Sequence, residues 1–359
     1  MTVPEAADTA LQALVLTAGL GTRLTPLTYV RAKAAVPVNG DTLARRVIRW
    51  LVSEGIRDLV LNLHHQPASI TASVGDGSDL GARVRYSWEN PVLGSAGGPR
   101  HALSLLVDTT SAKTQERGAS NQQPAASSQQ PATISEERTA SSGRRFLIVN
   151  GDTLTNVRLA DMFAAHTTSG AIVTMALILN PRPDKYGGVL VSDERWVTAF
   201  TRAGSANRSY HFVGVQIADA RVFESLTDGV PSETVNEIYP RLIAAHPQSI
   251  GAFVCDASFR DIGTPADYLE TSIHLAGLEG DRLAGGSRVE IHPTASVVGT
   301  AIWDDVQIGA GAELIECILC DGVVVPAGAR YQRSAIVPAR DHVPTGRQRV
   351  EGNLLIADF

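Results

Sequence analysis

The stretch that most constrains this fold is a short apolar run that breaks into a glycine-rich turn. Residues 14–16 (LVL) are followed at once by TAGLGTR at 17–23. The apolar run predicts a buried strand, and the glycines after it allow positive φ, so that consecutive N–H groups converge on an anion. Arg23 can then bind phosphate oxygens with two N–H groups, and Lys33 can add a point charge. The pattern predicts a nucleotide-phosphate cradle after the first strand of an α/β domain, or else a tight strand-to-helix turn with two surface cations.

Strand-like and helix-like segments alternate along most of the chain. Apolar runs predict strands at 13–16, 58–63, 84–86, 146–149, 171–179 and 211–217. Helices are predicted at 41–54, 67–74, 100–106, 234–246 and up to about residue 279. Fully apolar runs suit strands that are covered on both faces, and this order of segments is typical of a doubly wound α/β sheet.

Two regions depart from this alternation. Residues 109–143 are rich in Ser, Gln, Ala and Thr and contain no aromatic residue, so they predict a disordered insertion. From about residue 288, apolar residues six apart predict a short parallel β-helix, with a run of short hairpins as the alternative. They form two registers, Ile291, Val297 and Trp303, and Ile302, Ile308 and Leu314. The predicted domains are 1–280, which contains the insertion, and 281–359.

Composition narrows the function classes. The net charge is −6 and there is no basic block, so no nucleic-acid partner is expected. No apolar run reaches the roughly 18 residues that a membrane span needs, so no membrane association is expected. The N-terminal segment has acidic residues and no long apolar core, unlike a secretory signal. Three cysteines cannot build a disulfide framework, which favours a cytoplasmic location.

Two carboxylates follow strand-like segments. Asp152 ends the run FLIVNGD, and Asp261 lies in the turn FRDIGT. In a parallel sheet both would emerge at the carboxyl edge, where the 17–23 turn also lies and where ligands bind. Two such aspartates can hold one Mg²⁺ against phosphate oxygens, although aspartate is also a common turn former.

Other motifs are weaker or fail. The third glycine of a dinucleotide-binding fingerprint is replaced by Leu24, and no P-loop lysine follows the turn. Residues 93–98 (LGSAGG) could bring the backbone close to a base or ribose, or form a flexible loop before a helix. The pair Cys317 and Cys320 lacks partners at zinc spacing and is expected to pack within the β-helix.

Six motifs, taken in order, resemble those of a known family. They are LVLTAGLGTRLTPLT, RAKAAVPV, LGSAGG, VNGD, DKYGGV and FRDIGT. Over residues 12–275 the chain resembles the sugar-1-phosphate nucleotidyltransferases, several branches of which carry a C-terminal left-handed β-helix. The resemblance implies a Rossmann-like fold with a mixed, mainly parallel sheet. Within the family, the architecture and the LGSAGG motif favour the mannose-1-phosphate guanylyltransferases.

The resemblance also implies a role for each matching residue. The catalytic cations are Arg23 and Lys33, and the metal ligands for Mg²⁺ are Asp152 and Asp261. The sugar phosphate is contacted by Gly187 and Arg202. The nucleotide-binding residues are Ala18, Gly19, Gly21, Thr22, Gly94, Ser95, Gly97 and Gly98. A sugar 1-phosphate oxygen attacks the α-phosphorus of an NTP in line and pyrophosphate leaves, so no general base is required.

Departures from the family pattern concentrate at the sugar side. Relatives commonly carry a Glu-Lys pair where this chain has Thr201 and Arg202, and an asparagine where it has HFVG at 211–214. Lys33 is followed by Ala34 instead of proline. One alternative is therefore a regulatory subunit that binds NDP-sugar with little turnover. UTP, dTTP or ATP, another sugar, and an acyltransferase activity of the β-helix are further alternatives. A homo-oligomer is expected because the ends and edges of a β-helix need covering.

Overall fold

The computed structural model describes residues 11–106, 144–205, 208–279, 284–340 and 342–359. The predicted insertion at 109–143 and the predicted domain boundary at 280/281 lie outside these residues. Within them, the α-helices are α1 (Leu43–Ser53), α2 (Pro67–Val74), α3 (Gly94–Leu106), α4 (Leu159–Ser169), α5 (Arg221–Glu224), α6 (Tyr239–Ala245) and α7 (Pro265–Glu279).

The strands up to α7 include all six that were predicted. They are β1 (Gln12–Leu16), β2 (Pro37–Val38), β3 (Asp41–Thr42), β4 (Asp58–Leu63), β5 (Arg83–Trp88), β6 (Arg145–Asn150), β7 (Thr153–Thr155), β8 (Val173–Leu179), β9 (Gly188–Val191), β10 (Val197–Thr201), β11 (Tyr210–Asp219), β12 (Ile250–Val254) and β13 (Phe259–Asp261). The strands that were not predicted are β2, β3, β7, β9, β10, β12 and β13. The helix predicted at 234–246 begins with a π-helical turn, Thr234–Ile238, before α6.

The main sheet has the strand order β10-β9-β11-β6-β1-β4-β5, with β8 and β12 branching from β11. Its middle, β6-β1-β4-β5, is parallel, whereas β11 runs antiparallel to β6. Helices α1, α2 and α4 cover one face, and α3, α5 and α6 cover the other, each over its own apolar cluster. The expected doubly wound, mixed α/β sheet is confirmed, and it brings the ends of β1 and β6 side by side.

Helix α1 shows how local sequence sets an element here. Thr42, which with Asp41 is one of the two caps that the sequence allows, accepts a hydrogen bond from the backbone N–H of Arg45 at 3.4 Å. Leu43, Val47 and Leu51 are fully or almost fully buried, so one apolar face packs on the sheet. The helix therefore fixes the segment before it, which includes Lys33.

The C-terminal region forms parallel coils. Its strands are β14 (Ala284–Gly285), β15 (Glu290–Ile291), β16 (Ser296–Val298), β17 (Ala301–Ile302), β18 (Gln307–Ile308), β19 (Glu313–Ile315), β20 (Ile318–Leu319), β21 (Val324–Val325), β22 (Arg330–Gln332), β23 (Ser334–Pro338), β24 (Gln348–Glu351) and β25 (Leu354–Asp358). Three sheets, β14-β17-β20-β23, β15-β18-β21 and β16-β19-β22, are built from parallel pairs, which fits a parallel β-helix. An antiparallel hairpin, β24 and β25, then extends the first sheet through β23.

One of the two predicted apolar registers is wrong at Trp303. Ile302, Ile308 and Leu314 lie in the apolar interior of the coils, as predicted. Trp303 is 1% exposed but packs outside this interior, among residues of the α/β domain. Successive coils pair residues 17 apart, such as Ile291 with Ile308, so a six-residue period must shorten once in each coil. That shortening explains the apparent slip between the two registers.

The β-helix and the α/β domain share an apolar cluster. Trp303, Ile318 and Val337 of the coils belong to the same cluster as residues of the segment after β1 and of α7. From the α/β side it contains Leu24, Leu27, Val36, Val38, Leu43, Ile262, Tyr268, Leu269 and Ala276. The two cysteines divide between clusters, Cys317 in the coil interior and Cys320 at this contact, and both are free thiols.

Candidate active site

The glycine-rich turn is fixed to the strand next to it. The Oδ1 atom of Asn62, in β4, accepts hydrogen bonds from the backbone N–H groups of Thr17 at 2.6 Å and Ala18 at 3.3 Å. The hydroxyl of Thr17 donates to the backbone carbonyl of Asn62. Asn62 in turn donates to the buried carboxylate of Glu89 at 2.7 Å. Because Ala18 is buried and held in this way, Gly19 beyond it lies at the protein surface.

Gly21 is a position that only glycine fits. Its φ is +62°, and a Cβ atom there would lie 2.7 Å from Cγ2 of Thr28 and 3.1 Å from Cβ of Lys33. Nothing lies within 4 Å of the corresponding point on Gly19. The turn therefore packs on Lys33 through Gly21 and presents Gly19 outward.

No regular α-helix follows the turn. Three short 3-10 helices, Thr22–Leu24, Leu27–Tyr29 and Lys33–Ala35, lead from it to β2. Thr22 and Arg23 are exposed on the first, and Lys33 begins the third. The strand-to-helix alternative thus fails for this segment, which carries both cations on irregular backbone.

Lys33 and Asp152 form an ion pair at the end of β6. The Nζ atom of Lys33 lies 2.6 Å from Oδ2 of Asp152, and their side chains are 12% and 30% exposed. Gly151 makes this approach possible, since a Cβ atom there would lie 2.6 Å from Cγ2 of Thr17. The prediction that Asp152 and the glycine-rich turn meet at the carboxyl edge of the sheet is confirmed.

Asp261 reaches this place by a different route from the one predicted. It ends β13, which pairs antiparallel with β7 in a separate two-stranded ribbon, so it does not leave the main sheet as expected. In that ribbon Asp261 is paired with Thr153, the residue after Asp152. Burial raises the pKa of Asp261 and Asp152 raises it further, while Lys33 and Arg23 oppose the change. The two carboxylates and both cations therefore act on one another.

Two charged residues beside this cluster were not assigned from the sequence. The Nζ atom of Lys185 lies 2.7 Å from Oδ1 of Asp267, whose Oδ2 accepts a hydrogen bond from the Thr264 hydroxyl at 2.8 Å. A Cβ atom on Gly263 would lie 3.2 Å from Nη1 of Arg23 and 3.4 Å from Oδ2 of Asp267. Lys185 stands in the DKYGGV motif beside Gly187, which is the one sequence signal that marked it.

The second glycine-rich element is part of a helix, not a loop before one. Helix α3 begins at Gly94, whereas the sequence predicted a helix only from residue 100. The Ser95 hydroxyl lies 2.5 Å from Oε2 of Glu233 and accepts the backbone N–H of Thr234 at 2.9 Å. Gly94 and Ser95 are partly exposed, so their predicted contacts with a base or ribose stay predictions.

The other two glycines of this element are buried by close packing. A Cβ atom on Gly97 would lie 2.7 Å from the Val230 carbonyl, and one on Gly98 would lie 2.7 Å from Oε1 of Glu89. Packing alone therefore accounts for both glycines. A ligand contact at either of them also stays a prediction.

The sugar-side motifs meet around an aromatic cluster. The rings of Tyr186 and His211 are 4.5 Å apart, as are those of His211 and Phe259. Burial lowers the pKa of His211 to about 4, so its imidazole is neutral near pH 7. Among the residues that the structure describes, its buried Nδ1 atom and the buried Thr201 hydroxyl have no hydrogen-bond partner. The cluster therefore contains neutral polar atoms beside tilted and edge-on rings.

Both residues assigned to the sugar phosphate are neighbours of Thr201. Gly187 packs closely on it, since a Cβ atom on Gly187 would lie 2.9 Å from the Thr201 carbonyl oxygen. Arg202 follows Thr201 in the chain and is exposed. The fold thus brings the two positions to one place, and their contact with a sugar phosphate stays a prediction.

Two carboxylates of the cluster have the chemistry of cation ligands. Asp152 and Asp261 are partly exposed carboxylates whose mutual repulsion a cation would relieve. No group of three or more His, Cys, Asp and Glu suited to a metal occurs in the part of the chain described above. Two carboxylates with open positions fit Mg²⁺, which keeps waters and substrate phosphates as its other ligands. Likewise, no helix of the described ranges is both long and apolar enough to cross a membrane.

An open α/β sheet with a glycine-rich turn and a carboxylate at its carboxyl edge has the arrangement at which such folds bind ligands. The sequence matches the Nucleotidyl transferase family over residues 12–115 and 111–277, which is more than half of the chain. The chain belongs to this family and is a nucleotidyltransferase.

Individual relatives extend over both parts of the molecule. The chain is 27% identical to the mannose-1-phosphate guanylyltransferase of Mycobacterium tuberculosis, over 90% of this chain and 83% of that protein. It is 26% identical to a probable mannose-1-phosphate guanylyltransferase of Oryza sativa, over 91% and 84%. HddC from Yersinia pseudotuberculosis, crystallised with GMP-PN, has a similar fold, with a TM-score of 0.56 and 18% identity over 74% of this chain and 99% of that one.

Proposed function

We propose that this chain is a mannose-1-phosphate guanylyltransferase, which transfers the guanylyl group of GTP to a sugar 1-phosphate and releases pyrophosphate. The observation that carries the chemistry is the cluster of Lys33, Asp152 and Asp261 beside the glycine-rich turn. The choice of GTP and mannose 1-phosphate is supported by relatives that cover about nine tenths of the chain and carry that name.

The phosphates of the nucleotide bind at the turn. Gly19, which faces open space, lets phosphate oxygens approach the backbone, and Thr22 offers an exposed hydroxyl. Arg23, exposed at the same edge, binds the β- and γ-phosphates with its planar fork. Lys33 neutralises charge as pyrophosphate departs. Because these cations are already held near the leaving group, they stabilise the transition state without a large rearrangement.

Asp152 and Asp261 would hold Mg²⁺ at this edge. The bound ion would neutralise phosphate charge and polarise the phosphorus centre under attack. Asp152 now accepts from Lys33, so nucleotide binding is expected to pull Lys33 toward the phosphates and free the carboxylate. The sugar phosphate supplies an oxygen that is already an anion, and no side chain has to remove a proton from it.

The sugar 1-phosphate binds beside Gly187. Exposed Arg202 contacts its phosphate, and Lys185, held by Asp267 at 2.7 Å, lies within the same motif as Gly187. Tyr186 and His211 provide an aromatic wall for the sugar ring. Thr201 stands where relatives commonly have a carboxylate, and His211 begins the segment where they have an asparagine, so the polar groups on this side are neutral.

A binding subunit with little turnover is the second candidate, and the changed residues at Thr201 and His211 favour it. The test is a panel of GTP, ATP, UTP and dTTP against several sugar 1-phosphates, with Mg²⁺ and the full-length protein. The proposal predicts pyrophosphate release that is fastest with GTP and mannose 1-phosphate and is abolished by EDTA. Tight binding of GDP-mannose without pyrophosphate release from any pair would contradict it and support the second candidate.

A matched pair of variants tests the site itself. Arg23→Ala is expected to lower turnover by about 100-fold or more, the usual effect of losing one preorganised group that stabilises transition-state charge. Arg158→Ala is the control, because Arg158 is an exposed arginine that pairs with Asp161 three residues away. Equal activity of the two variants would remove Arg23 from the site.

A further inference from the structure

Arg31 ties the phosphate-binding segment to the β-helix. It lies two residues before Lys33, and its side chain is 19% exposed. Its Nη2 atom donates to Asp304 at 2.6 Å, and its Nε and Nη2 atoms donate to the two carboxylate oxygens of Asp321 at 2.6 and 2.7 Å. A bidentate, partly buried pair of this kind fixes orientation as well as position. Arg31 therefore anchors the backbone that carries Lys33 to two adjacent coils.

The same contact also fixes the other side of the site. The Arg31 guanidinium lies 5.5 Å from the ring centroid of Trp303, whose Nε1 donates to the Tyr268 hydroxyl at 2.7 Å. Tyr268, in α7, donates in turn to the Pro37 carbonyl at 2.6 Å. Helix α7 begins four residues after Asp261. The contacts of Arg31, Trp303 and Tyr268 thus join the segment that carries Lys33 to helix α7, which follows the proposed metal ligand Asp261.

Apolar packing acts in the same direction. Leu24 and Leu27, which follow Arg23 in the chain, are fully buried in the cluster that Trp303 and Ile318 provide from the coils. Tyr29 stacks on His342 with ring centroids 4.4 Å apart. The segment between Arg23 and Lys33 is made of short 3-10 helices, so it has little hydrogen-bonded structure of its own and depends on what it packs against.

We infer that the β-helix forms part of the catalytic apparatus, and that Arg31 is a positioning residue that holds Arg23 and Lys33 through its pairs with Asp304 and Asp321. This inference rests on the proposed function of the Arg23 and Lys33 site. Loss of these pairs lets the segment move, so Arg23 and Lys33 are no longer held where they meet the phosphates and the departing pyrophosphate is stabilised less. Arg31 itself touches neither substrate nor metal.

The test uses Asp321→Asn, Asp304→Asn and Arg31→Lys in the full-length chain, with Asp305→Asn as the matched control. Asp305 neighbours Asp304 and makes an equally close bidentate pair with Arg288, but that pair is exposed and lies away from the shared cluster. Two readouts are required. Hydrogen exchange reports the protection of residues 22–35, and calorimetry with Mg²⁺ and inorganic pyrophosphate reports the affinity of the phosphate site.

We expect Asp321→Asn to speed exchange in 22–35 but not in β4, and to weaken pyrophosphate binding about tenfold. Turnover with GTP and mannose 1-phosphate falls by a similar factor, and Arg31→Lys, which keeps the charge, is affected less than Asp321→Asn. The control behaves like the unmodified chain. A general loss of folded protein would lower the number of binding sites without changing the affinity, so a changed affinity separates positioning from stability.

Two results overturn the inference. Unchanged exchange in 22–35 would show that the pairs do not hold the segment, and faster exchange with unchanged pyrophosphate affinity and turnover would show that the site does not depend on them. A third result separates this inference from the proposed function. If the unmodified chain neither binds pyrophosphate nor releases it, the proposed function fails first, and the inference fails with it.

Discussion

The two halves of the proposed site are built differently. The nucleotide half is held by charged contacts, with Lys33 on Asp152 at 2.6 Å and Arg31 on the β-helix at the same distance. The sugar half is formed by tilted and edge-on rings, with the His211 Nδ1 atom and the Thr201 hydroxyl lacking hydrogen-bond partners among the described residues. The charged groups of the nucleotide half suit polyphosphate and a cation. The neutral polar groups of the sugar half suit an uncharged sugar ring.

This difference indicates which part of the site selects the sugar phosphate. Any nucleoside triphosphate would present the same phosphates to the turn, so the phosphate site is expected to serve the reaction and not to select the base. The sugar half differs from the common family pattern at Thr201 and Arg202, and these residues are expected to decide which sugar phosphate is accepted. Each of the following predictions tests that division.

The largest effect is expected from a proposed metal ligand of the nucleotide half. Asp152→Asn keeps the size of the side chain but removes the charge that holds the cation and pairs with Lys33. Turnover should fall by about 100- to 1000-fold, while the melting temperature changes little, since Asp152 is 30% exposed. Pyrophosphate release measures the effect. Asp193→Asn, at an exposed position, is the control. If Asp152→Asn keeps turnover within threefold of the unmodified chain, Asp152 is not a ligand of the catalytic cation.

A glycine pair separates the shape of the turn from its contact with ligand. Gly21→Ala forces positive φ on alanine and places a methyl group 2.7 Å from Thr28, so it should lower stability by about 1–3 kcal/mol. Gly19→Ala meets no atom within 4 Å, so stability should be unchanged while the KM for the triphosphate rises. Chemical denaturation and steady-state kinetics measure the two effects. Equal stability loss in both variants would contradict this account of the turn.

A variant in the sugar half should affect the binding of the other substrate, the sugar phosphate. Arg202→Ala is expected to raise the KM for the sugar phosphate about tenfold, in line with the loss of one hydrogen bond to a charged group. The KM for the triphosphate should stay the same. Arg195→Ala, an exposed arginine in the turn before β10, is the control. A rise in the KM for the triphosphate alone would place Arg202 in the nucleotide half.

The smallest effect is expected in the dependence of folding stability on pH. The pKa of His211 is about 4 in the folded chain and near 6.5 when unfolded, so the unfolded state binds more protons between these values. Stability is therefore lost as pH falls from about 6.5 toward 4. His211→Phe keeps an aromatic ring in the cluster and removes the titration, and should reduce the loss between pH 7 and pH 5 by about 2 kcal/mol. Urea unfolding at both pH values measures it, with exposed His246→Gln as the control. No difference between the two variants would contradict the buried, neutral imidazole.

Sequence could predict the parts of the site that local chemistry dictates. Gly21, Lys33 and Asp152 were found because a strand, a turn that needs positive φ and a carboxylate at a strand end all leave strong local patterns. Helix α1 was predicted for the same reason, with Asp41 or Thr42 as its cap. In each case the sequence within a few residues determines the structure.

The rest depends on contacts between distant residues. The ribbon that carries Asp261 consists of two three-residue strands, too short for any alternation to show. The Lys185 and Asp267 pair joins residues 82 apart in the chain, and Trp303 packs outside the coil interior, against Tyr268 of α7. Helix α3 begins earlier than predicted because close packing of Gly97 and Gly98 compensates for their low helix propensity.

The central claim is that Asp152 and Asp261 hold a divalent cation together with the triphosphate. Electron paramagnetic resonance with Mn²⁺ in place of Mg²⁺ tests it directly, because bound ion no longer contributes to the free-ion signal. The account predicts about one Mn²⁺ per chain in the presence of GTP, with much weaker binding in Asp152→Asn and in Asp261→Asn. Mn²⁺ binding with GTP that is equally tight in the unmodified chain and in both variants would contradict it.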